Sequence, residues 1–267
     1  MSKKIFVVAA HPDDEILGCG GTIMRHVSAG DRVRVMILAE GVTSRDETRQ
    51  AERRSNELNQ LHRATEQVAE FMGVESVTLC DFPDNRMDGV QLLDVIKKVE
   101  FEIDRFEPTV VYTHHAGDVN VDHRAAHEAV VTACRPMPGM SVREILFFET
   151  LSSTEWQMPE AGKIFCPNVY VDIEAFIDRK LEALRFYESE MRAYPHSRSY
   201  EATKILAQRR GFTVGHLYAE AFMLGRLIRD ERSIAVVPPM WGGCDLSTAD
   251  GFAFDPPLEL IEFEETA

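Results

Sequence analysis

The chain has 267 residues, of which 45% are hydrophobic, so it can bury the core of one large domain. Its 29 basic and 44 acidic residues give a formal net charge of −15, opposite in sign to that of proteins that bind nucleic acids or anionic membranes through general charge. No apolar stretch approaches transmembrane length and the five cysteines form no C-x-x-C pair, so we expect a cytoplasmic protein with no membrane or nucleic-acid partner.

Apolar strand patterns alternate with amphipathic helix patterns along the chain. The predicted strands are 5–10, 33–39, 77–80, 109–113, 144–148 and 169–171. The predicted helices are 16–29, 46–72, 90–105, 122–134, 173–191, 198–210 and 218–229. This order predicts an α/β fold with a doubly wound, mainly parallel Rossmann-like sheet, helices on both faces and an extra C-terminal helical and loop portion.

The domain organisation predicted from composition is simple. Residues 1–237 are expected to form a single α/β domain. Residues 238–267 are rich in proline and acidic residues and contain no lysine or arginine, which predicts a surface-wrapping or loosely ordered tail.

A dense polar segment follows the first predicted strand: His11, Pro12, Asp13, Asp14 and Glu15. Packing does not explain three carboxylates in one turn, because adjacent carboxylates repel each other and resist burial unless a cation or a donor compensates. A divalent metal would compensate, and a histidine with a carboxylate is a ligand combination that suits zinc. The sequence therefore predicts a metal site at the end of this strand.

A second polar segment, residues 113–124, follows the fourth predicted strand. Parallel sheets bind ligands at the carboxyl ends of their strands, especially where the strand order reverses, and the first and fourth strands are commonly neighbours there. A catalytic zinc needs three protein ligands and an open position. We expect His11, Asp14 and His123 to supply those ligands.

Together these motifs resemble those of a known family. The matching residues are the segment 11–15, the glycines Gly18, Gly20 and Gly21, Asp122-His123-Arg124, Arg63 with Glu66 ahead of Met72-Gly73, Arg210-Gly211 and the segment 218–222. The pattern is similar to that of the PIG-L/LmbE family of zinc-dependent N-deacetylases, and the resemblance spans nearly all of residues 5–229.

The resemblance implies roles for individual residues. His11, Asp14 and His123 match the metal ligands of the family, and Asp13 matches its general base. Arg63 matches an arginine that holds substrate. The implied cofactor is Zn²⁺, with Fe²⁺ or another divalent metal as the alternative.

One position departs from the family pattern. Many relatives have a histidine where this chain has Asn120, and that histidine helps to stabilise the oxyanion or to protonate the amine. We therefore expect either that Asn120 donates to the oxyanion or that His114 or His115 takes over this role. Asp122 is expected to hydrogen-bond a histidine and fix its tautomer.

A proline-bounded segment near the C-terminal part of the domain, residues 195–199, predicts substrate contacts by His196 and Arg198, since arginine matches phosphate and sugar oxygens. Ser197 and Ser199 could equally be helix N-caps. In this family such a segment is associated with enzymes of amino sugars, sometimes linked to a nucleotide.

These expectations together predict a hydrolase that removes an acetyl group from an N-acetylated amino sugar or sugar conjugate, through a zinc-bound water activated by Asp13. Two alternatives stay open: an amidase that acts on a larger sugar conjugate, and a metal-binding or sugar-binding protein without turnover. The expected partner is a small N-acetylated sugar or nucleotide sugar, and the family often assembles into homo-oligomers.

Overall fold

The computed structural model describes residues 2–229, and a seven-stranded sheet lies at its centre. The strands are β1 (Lys4–Ala9), β2 (Arg32–Ala39), β3 (Ser76–Phe82), β4 (Val110–His114), β5 (Glu144–Phe148), β6 (Val169–Asp172) and β7 (Ala219–Leu227). The helices are α1 (Asp14–Ser28), α2 (Ser55–Met72), α3 (Leu92–Phe106), α4 (Val121–Ala133), α5 (Ile177–Leu184) and α6 (Tyr200–Phe212).

The strand order is β3-β2-β1-β4-β5-β7-β6, so the order reverses between β1 and β4. Strands β1 to β5 pair in parallel, whereas β7 runs antiparallel to both β5 and β6. The predicted α/β class, the mainly parallel sheet and the pairing of the first and fourth strands are confirmed. Ligand sites of such sheets form at this reversal.

Hydrophobic side chains of the sheet enter two separate cores because successive residues of a strand point to opposite faces. Ile5 and Val7 of β1 join a core that includes Ile23 of α1. Phe6 and Val8 join the core on the other face, which includes residues of α3 and α4. Helices thus cover both faces, as a doubly wound sheet requires.

Three predicted elements are wrong in extent or type. The helix predicted at 46–72 begins only at Ser55, and before it the arginine pairs Arg49–Glu40 and Arg54–Asp46 hold the chain in turns. The helix predicted at 173–191 is limited to α5, with 3₁₀ turns on either side.

The helix predicted at 218–229 is instead the strand β7. Its alanine, glutamate, methionine and leucine residues favour a helix locally. Pairing with β5 and β6 and the burial of Ala221 and Phe222 outweigh that preference, as tertiary context commonly does.

The predicted tail at 238–267 and the domain boundary at 237 lie outside the described residues. Within residues 2–229, no helix combines the length and the apolar composition needed to cross a membrane.

Candidate metal centre and active site

The carboxyl ends of the parallel strands bring the polar segments together. His11 to Asp14 follow β1, and α4, which begins at Val121, follows β4. Asp84 follows β3, and Ser153 follows β5. The contacts described below connect all four loops at this edge of the sheet.

The three predicted metal ligands meet. His11 Nδ1 and His123 Nε2 each lie 3.2 Å from Asp14 Oδ2. One ligand atom from each of the three residues falls within 4.8 Å of the other two. Two imidazole nitrogens and one carboxylate oxygen form a donor set that zinc and similar divalent metals bind. His11, Asp14 and His123 could therefore hold one metal ion.

Hydrogen bonding within this set is incomplete, which is a second indication that the set can bind a cation. Asp14 Oδ1 and His123 Nε2 are buried and have no hydrogen-bond partner among the described residues. Buried polar atoms normally find a partner, so unpartnered ones need an explanation. A metal would satisfy both atoms.

Charges around Asp14 reinforce that conclusion. Burial would raise the pKa of Asp14, but the neighbouring histidines, His123 foremost, outweigh burial and hold its pKa well below the ordinary value. Burial likewise opposes protonation of His11, yet its bonds to Asp122 and Asp14 raise the pKa of that ring well above the ordinary value. The site thus favours positive charge beside a carboxylate, and a metal cation can supply that charge in place of protons.

The ring of His123 is oriented from its far side. Asp118 Oδ1 lies 3.2 Å from His123 Nδ1, and the same carboxylate accepts hydrogen bonds from Ser153 and Thr154. Burial lowers and the charges of Asp14 and Asp118 raise the pKa of His123, to about 9 on balance. His114 stacks on the His123 ring with centroids 3.9 Å apart. A carboxylate behind a ligand histidine fixes its tautomer and strengthens it as a ligand.

His11 is oriented in the same way by two carboxylates. Its Nε2 lies 3.0 Å from Asp122 Oδ2 and 3.3 Å from Asp84 Oδ1. Asp122 in turn accepts hydrogen bonds from the backbone N–H groups of Asn85 and Met87. The structure therefore places Asp122, which was expected to orient a histidine, against His11.

Asp13, the predicted base, is fully buried and has a backbone φ of 108°. A non-glycine residue seldom adopts such an angle, and strained residues of this kind cluster at functional sites. Glu15 Oε2 accepts the N–H of Asp13 at 3.0 Å, and Tyr187 donates to Glu15 Oε1 at 2.9 Å. These contacts hold the Asp13 backbone in place.

The carboxylate of Asp13 has one engaged oxygen and one free oxygen. Arg198 Nη1 donates to Oδ2 at 3.1 Å, whereas Oδ1 has no hydrogen-bond partner among the described residues. Burial raises the pKa of Asp13 to about 7, against the opposing charge of Arg198. A carboxylate with such a pKa and an unused oxygen can accept and return a proton near neutral pH.

A small polar cavity of about 110 Å³ opens beside these groups. Among the predicted site residues, His11, Asp13, Asn120 and Arg198 line it. Asn120 caps α4 through its Oδ1, and its Nδ2 donates to Asn85 Oδ1 at 2.8 Å.

Besides Asp14, His123 and Asp122, whose contacts are described above, three predicted site residues do not line this cavity. His115 Nε2 donates to the Lys163 carbonyl at 2.9 Å, and Arg63 is exposed on α2. His196 accepts from the Arg198 N–H, and its ring meets Trp156. Their catalytic or substrate roles stay predictions.

Sequence reasoning missed several residues of the site, and their signals differ. Asp118 lies five residues before His123, so a carboxylate that orients a ligand could have been suspected there. Asp84 and Ser153 come from loops far away in the chain, and no local pattern marks them. Tyr187 is recognisable only from its buried contact with Glu15.

Comparisons with known proteins find relatives among deacetylases. Residues 6–134 match the family model PIG-L, described as GlcNAc-PI de-N-acetylase. The diacetylchitobiose deacetylase of Thermococcus kodakarensis is 28% identical over 242 residues, which cover 82% of this chain and 81% of that protein.

Two solved structures share the fold at low sequence identity. The N,N'-diacetylchitobiose deacetylase of Pyrococcus horikoshii has a TM-score of 0.67 at 20% identity, with 84% of both chains covered. GalB of Pseudomonas putida, a 4-carboxy-2-hydroxymuconate hydratase, has a TM-score of 0.66 at 21% identity, with 86% of this chain and 98% of that chain covered. The fold therefore occurs with more than one reaction, and function must be argued from the site.

The resemblance predicted from the sequence motifs is confirmed: residues 6–134 of this chain match the PIG-L family model.

Proposed function

We propose that this protein is a metal-dependent hydrolase that removes the acetyl group from the nitrogen of an N-acetylated amino sugar or sugar conjugate. The observation that carries the proposal is a buried carboxylate with a free oxygen, Asp13, directly beside the ligand set His11, Asp14 and His123. A protein that only bound a metal would have no use for such a base. The deacetylase relative of similar length supports the same reaction class.

Each part of the site has a role in amide hydrolysis. When bound, a divalent metal supplies Lewis acidity, which makes water more acidic and polarises the carbonyl group. Asp13 Oδ1 accepts the proton of the attacking water and later delivers it to the departing nitrogen. Asp118 and Asp122 keep the two histidine rings in the orientation that ligation needs.

The cavity supports an acetamido group as the part of the substrate that enters. Its volume of about 110 Å³ is below the ~300–1,000 Å³ of typical small-molecule sites. We infer that the amide end of the substrate is enclosed while the rest lies outside. Zinc as the native metal, a nucleotide-linked substrate, assembly into homo-oligomers and a cytoplasmic location stay predictions from the sequence.

Acetate release tests this proposal. The purified protein is incubated with N-acetylglucosamine, other N-acetylhexosamines, diacetylchitobiose and nucleotide-linked N-acetylhexosamines, with and without a chelator. We expect chelator-sensitive acetate release from at least one of them. Release only from larger conjugates would favour the amidase alternative, and metal binding without any release would favour a binding protein.

The variant Asp13→Asn tests the base. The amide cannot accept a proton from water, so we expect kcat to fall by about 10²–10⁴-fold while the metal content, measured by elemental analysis, is unchanged. Metal loss equal to that of a ligand variant would instead make Asp13 a ligand, and unchanged turnover would remove its role as a base.

A further inference from the structure

Arg198 occupies a special position in the cavity. Its Nη1 donates to Asp13 Oδ2 at 3.1 Å, and its Nε donates to Ser152 Oγ at 2.8 Å. Its side chain is 23% exposed, and it lines the cavity together with Asp13. Within residues 2–229, no hydrogen bond engages its Nη2.

The two side-chain amides and the second arginine of the cavity have hydrogen-bond or ion-pair partners among their neighbours. Asn120 Nδ2 donates to Asn85 Oδ1, and Asn85 Nδ2 donates to Asp84 Oδ1 at 2.9 Å. Arg45, the second arginine that lines the cavity, pairs with Glu190 at 2.8 Å. Of the two arginines, Arg198 is therefore the one that contacts the base and keeps N–H groups free.

Hydrolysis of an amide places negative charge close to the base. The water oxygen bonds to the carbonyl carbon, its proton goes to Asp13, and the π electron pair of the carbonyl moves onto the carbonyl oxygen. When that oxyanion collapses, the carbon–nitrogen bond breaks and the nitrogen takes the proton from Asp13. A donor that already contacts Asp13 lies beside the place where the oxyanion forms.

We propose that Arg198 is the oxyanion donor of this site, with Nη2 donating to the oxyanion and Ser152 fixing the plane of the guanidinium. The inference rests on the proposed function and assigns Arg198 to the transition state rather than to general substrate binding. A guanidinium stays charged at all working pH values and presents N–H groups in a rigid fork, so it exchanges no proton during the cycle.

Kinetics of Arg198→Met separate the two roles. Removing one oxyanion donor typically lowers kcat by about 10²–10³-fold, and we expect this loss with KM and metal content little changed. Arg192→Met is the matched control, because Arg192 is exposed on the same segment and its Nη1 bonds only nearby backbone carbonyls. We expect it to retain wild-type kcat. A raised KM with unchanged kcat would overturn the proposal.

Two further variants exclude a merely structural effect. Added guanidinium ion should restore part of the kcat of Arg198→Ala but leave Asp13→Asn inactive. Ser152→Ala should lower kcat less than Arg198→Met, since the guanidinium remains. Absence of rescue in an Arg198→Ala protein that is folded by circular dichroism would contradict a direct role.

A binding measurement keeps the test independent of turnover. Methylphosphonate mimics a tetrahedral oxyanion, and its affinity for the zinc-loaded protein can be measured by calorimetry. Because Arg198→Met loses a charged hydrogen bond, it should bind methylphosphonate at least about tenfold more weakly than the wild type. The affinity of Arg192→Met should equal that of the wild type. If the wild type releases acetate from no substrate, the proposed function fails while this measurement still decides on Arg198: equal affinities would overturn its role.

Discussion

Two buried clusters of charge in this molecule differ in one respect. In the first cluster, Lys180 of α5 and Glu220 of β7 form an ion pair at 2.6 Å with side chains only 4% exposed. Glu220 also accepts the backbone N–H groups of Gly21 and Thr22, and Lys180 donates to the Leu17 carbonyl at 2.9 Å. Both ions of the pair have several partners.

These partners explain the position of the Lys180–Glu220 pair. Helix α1 is interrupted at Cys19, which has non-helical backbone angles. The interruption leaves N–H and carbonyl groups without helical partners, and the ion pair satisfies them on both sides. The pair therefore acts as a structural element of the α1 interruption.

The second cluster, His11, Asp14 and His123 with the adjacent Asp13, lacks such completeness. Asp13 Oδ1, Asp14 Oδ1 and His123 Nε2 are buried without hydrogen-bond partners. Unpaired buried polar atoms cost free energy, so three of them at one place need an explanation, and a bound cation offers one. In this molecule the saturated charge cluster supports the fold, whereas the unsaturated one has the properties of a ligand site.

The largest expected effect is the loss of metal binding when the unsaturated cluster is disrupted. His123→Ala removes one of the three proposed ligands, so we expect metal per chain, measured by elemental analysis, to fall from about one to nearly zero, while the circular dichroism spectrum is retained. His216→Ala is the control, because this histidine side chain is 50% exposed. Unchanged metal content in His123→Ala would mean that the third ligand lies elsewhere.

Breaking the saturated cluster should affect stability instead. Lys180→Met leaves the Glu220 charge buried and unpaired, which typically costs about 3–5 kcal/mol. Urea denaturation should report this loss, and the folded variant should bind metal as the wild type does. Lys97→Met, whose lysine is 66% exposed on α3, is the control. A loss below about 1 kcal/mol, as in a surface pair, would contradict the structural role.

The smallest expected effect concerns a carboxylate at the edge of the unsaturated cluster. Asp118 touches His123 but is not one of the three proposed ligands, so Asp118→Asn should weaken metal affinity by about 10–100-fold without abolishing binding. Competition with a chelator measures this change. Asp88→Asn, at an exposed carboxylate, should behave as the wild type. Complete metal loss in Asp118→Asn would make Asp118 a ligand.

The parts of the site closest to strand ends could be predicted from the sequence. His11 to Asp14 follow an apolar run that predicts a buried strand, and His123 follows another. The α/β alternation then predicts a doubly wound sheet, in which the first and fourth strands are commonly neighbours at the reversal of strand order. Ligand sites form at this reversal.

Other features depend on tertiary contacts that local patterns do not encode. The segment of β7 has helix-favouring composition, and its pairing with β5 and β6 makes it a strand. Arg198 could be suspected from its proline-bounded loop, but its contact with Asp13 joins residues 185 positions apart. No rule of residue spacing covers such a distance along the chain. The contact between Asp13 and the Arg198 guanidinium is therefore visible only in the structure.

The backbone angle of Asp13 has a consequence for the stability of this chain. At φ 108° an aspartate stores strain of about 1–3 kcal/mol, which glycine would relieve. Asp13→Gly should therefore make the protein more resistant to unfolding and at the same time remove the proposed base. On the proposed function, any gain in stability at this position would come at the expense of catalysis.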